Sequence, residues 1–354
     1  MATKKTKKKT KKRTGLIGVF ATVLISLVLS GLSYFVFIGS STQFIEKEKV
    51  WYIASTDDRV ALLDQLLKAD FSPFHQSIFG LLARSTGYYN NVHAGRYIIH
   101  RGNSVFTIFR KLHGGKQDPV RLTIKKIRTR TQLADWIGMQ LDCSSKELLD
   151  LLNNDDSLQP FGVNAESAMS LIHPNTYDIY WTTSAKGFLE RMKKESDRFW
   201  NSQRRAALER IGLSTVEAVT LASIIEEETN EHFEKPLMAS VYMNRIRLGM
   251  PLGADPTIKF ALHDFSIRRV TLGHIAASAA SPYNTYKRKG LPPGPICTPS
   301  AVSIDAVLEG KTSNYLYFCA KPDFSGAHNF AATAKQHFEN ARNYRKALDS
   351  LGIQ

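Results

Sequence analysis

Apolar side chains occupy nearly every position from Gly15 to Ile38, twenty-four residues in which the phenol of Tyr34 is the one ionisable group. A bilayer-spanning helix needs roughly 20 such residues, so this stretch predicts a membrane anchor, with a signal cleaved near Gly39-Ser-Ser as the alternative. From Trp51 the period changes. A short apolar strand is followed by amphipathic helical patterns over about 58 to 68 and 73 to 85, closed by the Gly87-Tyr-Tyr-Asn-Asn turn. His93 to His100 alternates as a strand, Arg101-Gly-Asn-Ser104 turns the chain into a helix through Lys111, and Val120 to Lys125 alternates again. A further helix is expected from about Thr131 to Leu141.

Beyond about residue 156 the pattern is that of a larger unit. A long charged helical stretch runs from Ala185 to Arg210. After it, Ser214-Thr-Val-Glu217 has the form of a capping box, and Val216, Ala218, Val219, Leu221, Ala222, Ile224 and Ile225 point in every direction around a helix axis. That helix is therefore expected to be buried on all sides until it ends in Glu226, Glu227 and Glu228. Another helix is expected from about Phe233 to Leu248, stopped by Gly249. Then come loops rich in proline, tyrosine and asparagine: Pro251 to Thr257, Ser281 to Tyr286 and Gly290 to Ile296. Such loops suit a sugar cleft, aromatic faces stacking on rings and amides bonding hydroxyls; simple turns between strands fit the same composition.

The length of 354 residues allows more than one domain. Charge sharpens the picture at one end only. Of a net +15, eight basic residues lie between Lys4 and Arg13, ahead of the first acid, Glu46. Basic flanks stay in the cytoplasm, which places residues 1–14 inside as a tail, 15–38 across the cell (inner) membrane in a single pass, and the rest outside, in the periplasmic or extracytoplasmic space. A lysine run can also neutralise phosphates, but topology and anionic headgroups account for it here, so no nucleic acid is expected as a partner. Three dispersed cysteines, Cys143, Cys297 and Cys319, form no disulfide or metal pattern and read as buried apolar residues.

The chain lacks the common dinucleotide, phosphate-loop, serine-hydrolase and zinc-protease signatures. Cofactor-free acid and base chemistry is what remains, and no cofactor or metal is expected. Glu226 is the candidate for it. A carboxyl dried by apolar packing has its charged form disfavoured, so its pKa should rise and let it hold a proton. The alternative is that the three acids merely end a core helix at the surface.

These residues resemble the YceG-like, endolytic murein transglycosylase family. The likeness is carried by Leu221 to Thr229, Ala239-Ser-Val-Tyr-Met-Asn-Arg245, Gly249-Met-Pro-Leu with Asp255-Pro-Thr257, Tyr283-Asn-Thr-Tyr286, Gly290 to Ile296, and Tyr315 to Phe318 with His328 and Phe330, in the family's order. It implies an α+β fold with one N-terminal transmembrane helix, a membrane-proximal segment over 39–90, a small LysM-like subdomain over 91–155 and a larger catalytic domain over 156–350. It further implies a lytic transglycosylase that cuts the MurNAc-GlcNAc bond of nascent peptidoglycan strands without water, leaves 1,6-anhydro-MurNAc ends and terminates elongation. Cell-wall synthesis proteins are candidate partners. Glu226 maps onto the family's catalytic glutamate, and Asn244, Arg245, Asp255, Thr257, Asn284, Tyr286 and His328 fall in motifs expected to line the glycan cleft, with structural roles open for each. A lone carboxyl suffices because an internal hydroxyl replaces the second acid of ordinary glycosidases.

Two departures qualify the likeness. Met169-Ser170 and Asn175 stand where the family usually has a Glu-Gly pair and Asp, and Lys125-Lys-Ile-Arg replaces a Pro-Glu-Gly turn. The second puts glycan contact by the small subdomain in doubt. A non-catalytic exported wall-binding or scaffold protein, and a glycosidase using water, are the competing readings.

Overall fold

The structure, a computed structural model, describes residues 5–56 and 58–350, with side chains from residue 17 onward. Residues 1–4 of the expected cytoplasmic tail lie outside the described residues. The chain packs into two units, residues 1–120 with 178–182, and 121–177 with 183–354. The division falls at Val120, inside the segment expected as one small subdomain.

The first unit opens with α1 (Lys5–Phe37), in which Ile17–Phe37 is long and apolar enough to cross a membrane, with a mean hydropathy of 2.2. Then come β1 (Glu48–Ile53), α2 (Arg59–Asp70), α3 (Pro73–Ser85), β2 (Gly95–His100) and α4 (Val105–His113). β1 and β2 pair antiparallel, Trp51 opposite Tyr97, and both rings are fully buried with Leu63, Phe79 and Leu112. The helix starts follow capping rules: Ser72 and Ser104 accept from backbone N–H groups in the first turns of α3 and α4. The strand expected at 93–100 pairs with β1.

The second unit contains β3 (Val120–Ile124) from Arg121 onward, α5 (Arg130–Gln140), α6 (Ser145–Leu152), α7 (Asp155–Leu158) and β4 (Asn175–Ile179) as far as Tyr177, then α8 (Ala185–Phe199) and α9 (Ser202–Ile211). The charged stretch expected as one helix is two, broken at Trp200, whose ring is buried in the core. There follow α10 (Thr215–Glu228), α11 (Lys235–Arg247), α12 (Asp255–Ala261), α13 (Leu272–Ala277), α14 (Ala301–Glu309), the hairpin of β5 (Tyr317–Ala320) and β6 (His328–Ala331), and α15 (Ala334–Ser350). α10 is the axle of this unit. Ala218 through Ile225 are all buried, packed with Met238, Tyr242, Leu252, Ile304 and Val307. Asp255-Pro-Thr257, expected as a loop, is the first turn of α12, where proline is tolerated because its missing N–H has no partner to lose.

Candidate active site

α10 starts as its sequence predicts. Ser214 accepts from the Glu217 N–H at 3.2 Å, and the Glu217 carboxylate accepts from the Ser214 N–H at 2.8 Å. Its other end collects three carboxylates at the negative pole of the helix, where anions are disfavoured. Each has recruited different partners.

Glu226 gathers every hydrogen bond on one oxygen. Oε2 accepts from Lys235 Nζ at 2.9 Å, from Ser300 Oγ at 2.7 Å, and from Ser303 Oγ. Lys235 Nζ also donates to Ser303 Oγ at 2.7 Å. Within the described residues Oε1 has no partner, and the side chain keeps 17% of its exposure while that of Lys235 keeps 3%. Ser300 is the N-cap of α14 and Ser303 lies in its first turn, so the positive end of one helix faces the acid that ends another.

This corrects the expected titration. Burial is the largest single influence on Glu226 and pushes its pKa up, but the hydroxyls of Ser303 and Ser300 and the Lys235 ammonium together outweigh it and hold the carboxyl below its usual value. Glu226 rests as a carboxylate. The expected effect appears two residues on, at Glu228. Burial raises that carboxyl to about 7, assisted by the charge of Asp255 and opposed by the hydrogen bond from Tyr242, whose hydroxyl donates at 2.9 Å. Glu227 is pushed up by burial and brought below its usual value by the bidentate Arg128 guanidinium, at 3.1 and 2.9 Å, and by Lys126 at 3.1 Å.

The other candidates divide into three groups. Asp255, Tyr286 and Arg245 are within electrostatic reach of Glu228: the Tyr286 hydroxyl donates to Asp255, and Arg245 donates to the Leu252 and Leu316 carbonyls while lying 5.4 Å from the Tyr317 ring centroid. Asn244, Thr257 and Asn284 are buried and bonded to the protein itself. Asn244 donates to the Ser313 and Tyr315 carbonyls, Thr257 to the Ala254 carbonyl, and Asn284 to the Ile275 carbonyl and Ser278. His328 forms the third group alone, its ring nitrogen 2.9 Å from the buried Glu234 carboxylate. The loop from Gly290 lies on α10, with the Ile296 N–H donating to Ser223 Oγ at 3.0 Å.

The sequence reading missed Lys235, Ser300 and Ser303. A signal existed: Ser300-Ala-Val-Ser303 after Pro299 is an N-cap pattern with a second hydroxyl at the third position, on one face of a helix start. Among the described residues no group of three or more His, Cys, Asp or Glu side chains is disposed to hold a metal ion. Cys297 is buried, whereas Cys143 and Cys319 are half-buried.

An endolytic murein transglycosylase of Bacillus subtilis (strain 168) is 28% identical over 267 residues, spanning 71% of this chain and 72% of that protein. An endolytic murein transglycosylase of Streptococcus pneumoniae (serotype 2, strain D39) is 28% identical over 276 residues, 70% of this chain, and the match covers 49% of it, so the chain spans about half the length of that relative. The 2.6 Å crystal structure of a YceG-like protein from Listeria monocytogenes is similar with a TM-score of 0.54 and 26% identity, over 83% of this chain and 98% of that one. Residues 52–343 match the YceG-like family itself, and with more than three quarters of its length inside that match the chain belongs to the YceG-like family.

Proposed function

We propose that the protein is a membrane-anchored endolytic transglycosylase of peptidoglycan in which Glu226 is the catalytic carboxyl. The observation that carries this reading is the asymmetry of Glu226, with Oε2 held by three donors and Oε1 free for a substrate oxygen. Glycan docking over Oε1 removes the remaining solvent, adds to the upward push of burial and moves the carboxyl toward its protonated form. The proton passes to the glycosidic oxygen, the bond from muramoyl C1 to that oxygen breaks, and an oxocarbenium-like centre forms. Glu226, again a carboxylate, takes the proton of the muramoyl C6 hydroxyl as its oxygen closes on C1. No water is consumed, and the product is a 1,6-anhydro end. Lys235, Ser300 and Ser303 stabilise the carboxylate that this second step requires.

Ile17–Phe37 serves as the anchor, with the N-terminus in the cytoplasm and the catalytic unit outside, where nascent strands are within reach. Asp255, Tyr286 and Arg245 belong to the cleft wall in this reading, and cell-wall synthesis proteins are its natural partners. The test is digestion of purified glycan strands by the full chain in detergent, followed by mass spectrometry. Anhydro ends support the proposal; ends heavier by one water identify a hydrolase; the absence of cleavage identifies a wall-binding protein. Glu226→Gln should abolish turnover, and retained turnover would move the role to another acid.

A further inference from the structure

The outward face of α3 carries an apolar stripe. Phe74 and Leu81 lie two helical turns apart on it, with the partly buried Ile78 between them, and keep 50% and 65% of their exposure. The opposite face sends Phe79 and Ala83 into the core of the first unit. A helix at a water surface normally turns charged side chains outward, whereas α3 contains no Asp, Glu or Lys, and only Ser77 and Arg84 flank the stripe. This is the sequence of a helix covered on two sides, and the first unit covers one of them.

The start of α3 is fixed against the apolar span. Ile17–Phe37 has 21 residues, and at 1.5 Å each they rise about 32 Å, the thickness of the hydrocarbon layer of a bilayer. Phe35, in the last turn of the span, meets Phe74 edge to face at 6.1 Å between ring centroids, and Phe37 meets Phe106, in the first turn of α4, at 4.7 Å. With the span in a bilayer, the Phe74 ring therefore stands at the edge of the hydrocarbon.

The connection from span to unit has no slack. The Gly39 N–H donates to the Tyr34 carbonyl at 2.7 Å, and the buried Ser41 donates to the Asn103 carbonyl through its N–H at 3.0 Å and its hydroxyl at 2.9 Å. Thr42 then bridges to Phe71, and its hydroxyl accepts from the Gly102 N–H at 3.0 Å. Ser41, part of the folded unit, stands four residues past Phe37, and four extended residues reach at most roughly 14 Å.

We infer that α3 is an interfacial helix, lying on the leaflet at which the span ends, with Phe74, Ile78 and Leu81 turned into the boundary between headgroups and acyl chains. The partner of this face is a lipid surface. The inference goes beyond the glycan-cleaving reading and rests only on its membrane anchor. Continuity with the span selects lipid over a second copy of the chain, because the stripe begins on a ring already held at the hydrocarbon edge. Helices of this kind sink roughly 5–10 Å into the boundary and bind in proportion to the apolar area they bury. The first unit is then a base seated on the membrane at a fixed height, not a body swinging on a tether.

The test uses the full chain in nanodiscs of phosphatidylcholine and phosphatidylglycerol, with the photoreactive p-benzoylphenylalanine placed singly at position 74, 81, 52 or 24. Tyr52 is the water-facing control: it is exposed and points away from its neighbour Trp51, which shares the core with Phe79 of α3. Leu24 lies within the span. Lipid adducts found by mass spectrometry at positions 74 and 81 should exceed those at 52 by at least about tenfold. A yield at 81 no higher than at 52 would overturn the inference, as would adducts at 74 and 81 that join two protein chains. Hydroxyl-radical footprinting of the unsubstituted chain in the same nanodiscs guards against a substitution that disturbs the fold: Leu81 should be protected while Tyr52 is oxidised, and ready oxidation of both would count against the docking. Position 24 keeps the two claims apart. Adducts at 24 without adducts at 81 defeat the interfacial helix alone, whereas their absence at 24 defeats the anchor and the docking that rests on it.

Discussion

Replacing Lys235 by methionine isolates what the ammonium does for Glu226, because methionine keeps the apolar stem and removes the charge. Breaking a fully buried ion pair costs about 3–5 kcal/mol, since the surviving charge is left uncompensated. Glu226 keeps two hydroxyl donors and some solvent, and the variant no longer buries an ammonium, so about 2–3 kcal/mol is expected at pH 7. The sign with pH follows from the two proteins' titrations. In the wild type the Glu226 pKa is depressed, so its contribution is present above the unfolded value of about 4.3 and is lost as pH falls through the folded pKa. In Lys235→Met burial faces only the two hydroxyls and the pKa moves up, which shrinks or reverses that contribution.

The gap between the two proteins should therefore be widest near pH 7 and close toward pH 3. As pH falls through its folded pKa, Glu226 takes up a proton, and the wild type alone then carries a buried, unpaired ammonium. Urea unfolding of the full chain in detergent measures this through the fluorescence of Trp200, which is 4% exposed and packed in the same core as α10. Activity supplies a second readout: the pH at which kcat/KM is greatest should move upward in the variant, because Glu226 retains its proton to higher pH. A stability gap that is the same at pH 3 and pH 7, or an optimum that moves downward, would refute the assignment of Lys235 as the group that depresses Glu226.

Three other substitutions test separate parts of the structure. Glu228 is raised to about 7, so the folded state binds the extra proton and its contribution to stability is lost as pH rises from about 4.3 through 7; ionising it costs about 4 kcal/mol at pH 8 or above. Glu228→Gln, which can still accept from Tyr242, should flatten that decline in urea unfolding curves taken from pH 5 to 8, and an unchanged slope would contradict the assignment. Gly294→Ala should prevent the Gly290 loop from seating, because the added Cβ would lie 1.9 Å from the Glu166 carbonyl oxygen; a loss of at least about 3 kcal/mol is expected, measured by the urea midpoint, and a loss below 1 kcal/mol would show that the loop can shift. His263→Gly relieves the left-handed strain and should raise stability by about 0.5–1 kcal/mol, read as a higher melting temperature.

What the sequence disclosed about the fold depended on range. The capping box at Ser214, the all-round apolar face of α10 and the span at Ile17–Phe37 are local patterns, and each appears where its period predicts. The break between α8 and α9 carried one local signal, Asn201, whose side chain accepts from the Arg204 N–H as the N-cap of α9, but the charged positions keep helical spacing across Trp200 and obscure it. Asp255-Pro-Thr257 looked like a turn because Asp-Pro opens turns and helices with the same chemistry.

The candidate site shows the same limit in electrostatic form. A run of apolar residues ending in a carboxylate states that the acid is dried, which is half of a pKa. The other half is the set of donors brought against it, and here these lie 9, 74 and 77 residues away, at Lys235, Ser300 and Ser303. Burial pushes both Glu226 and the more deeply buried Glu228 upward, yet one is driven below its usual value and the other up to about 7. The difference is that Glu226 faces an ammonium and a helix start, while Glu228 faces one phenol and the charge of Asp255. Asn284 is ambiguous in sequence for a related reason. An amide that bonds a sugar and an amide that bonds the Ile275 carbonyl of its own loop have the same sequence, and only burial separates them. Two carboxyls two residues apart are thus pushed in opposite directions by their surroundings, which is how environments set acid and base roles in proteins generally.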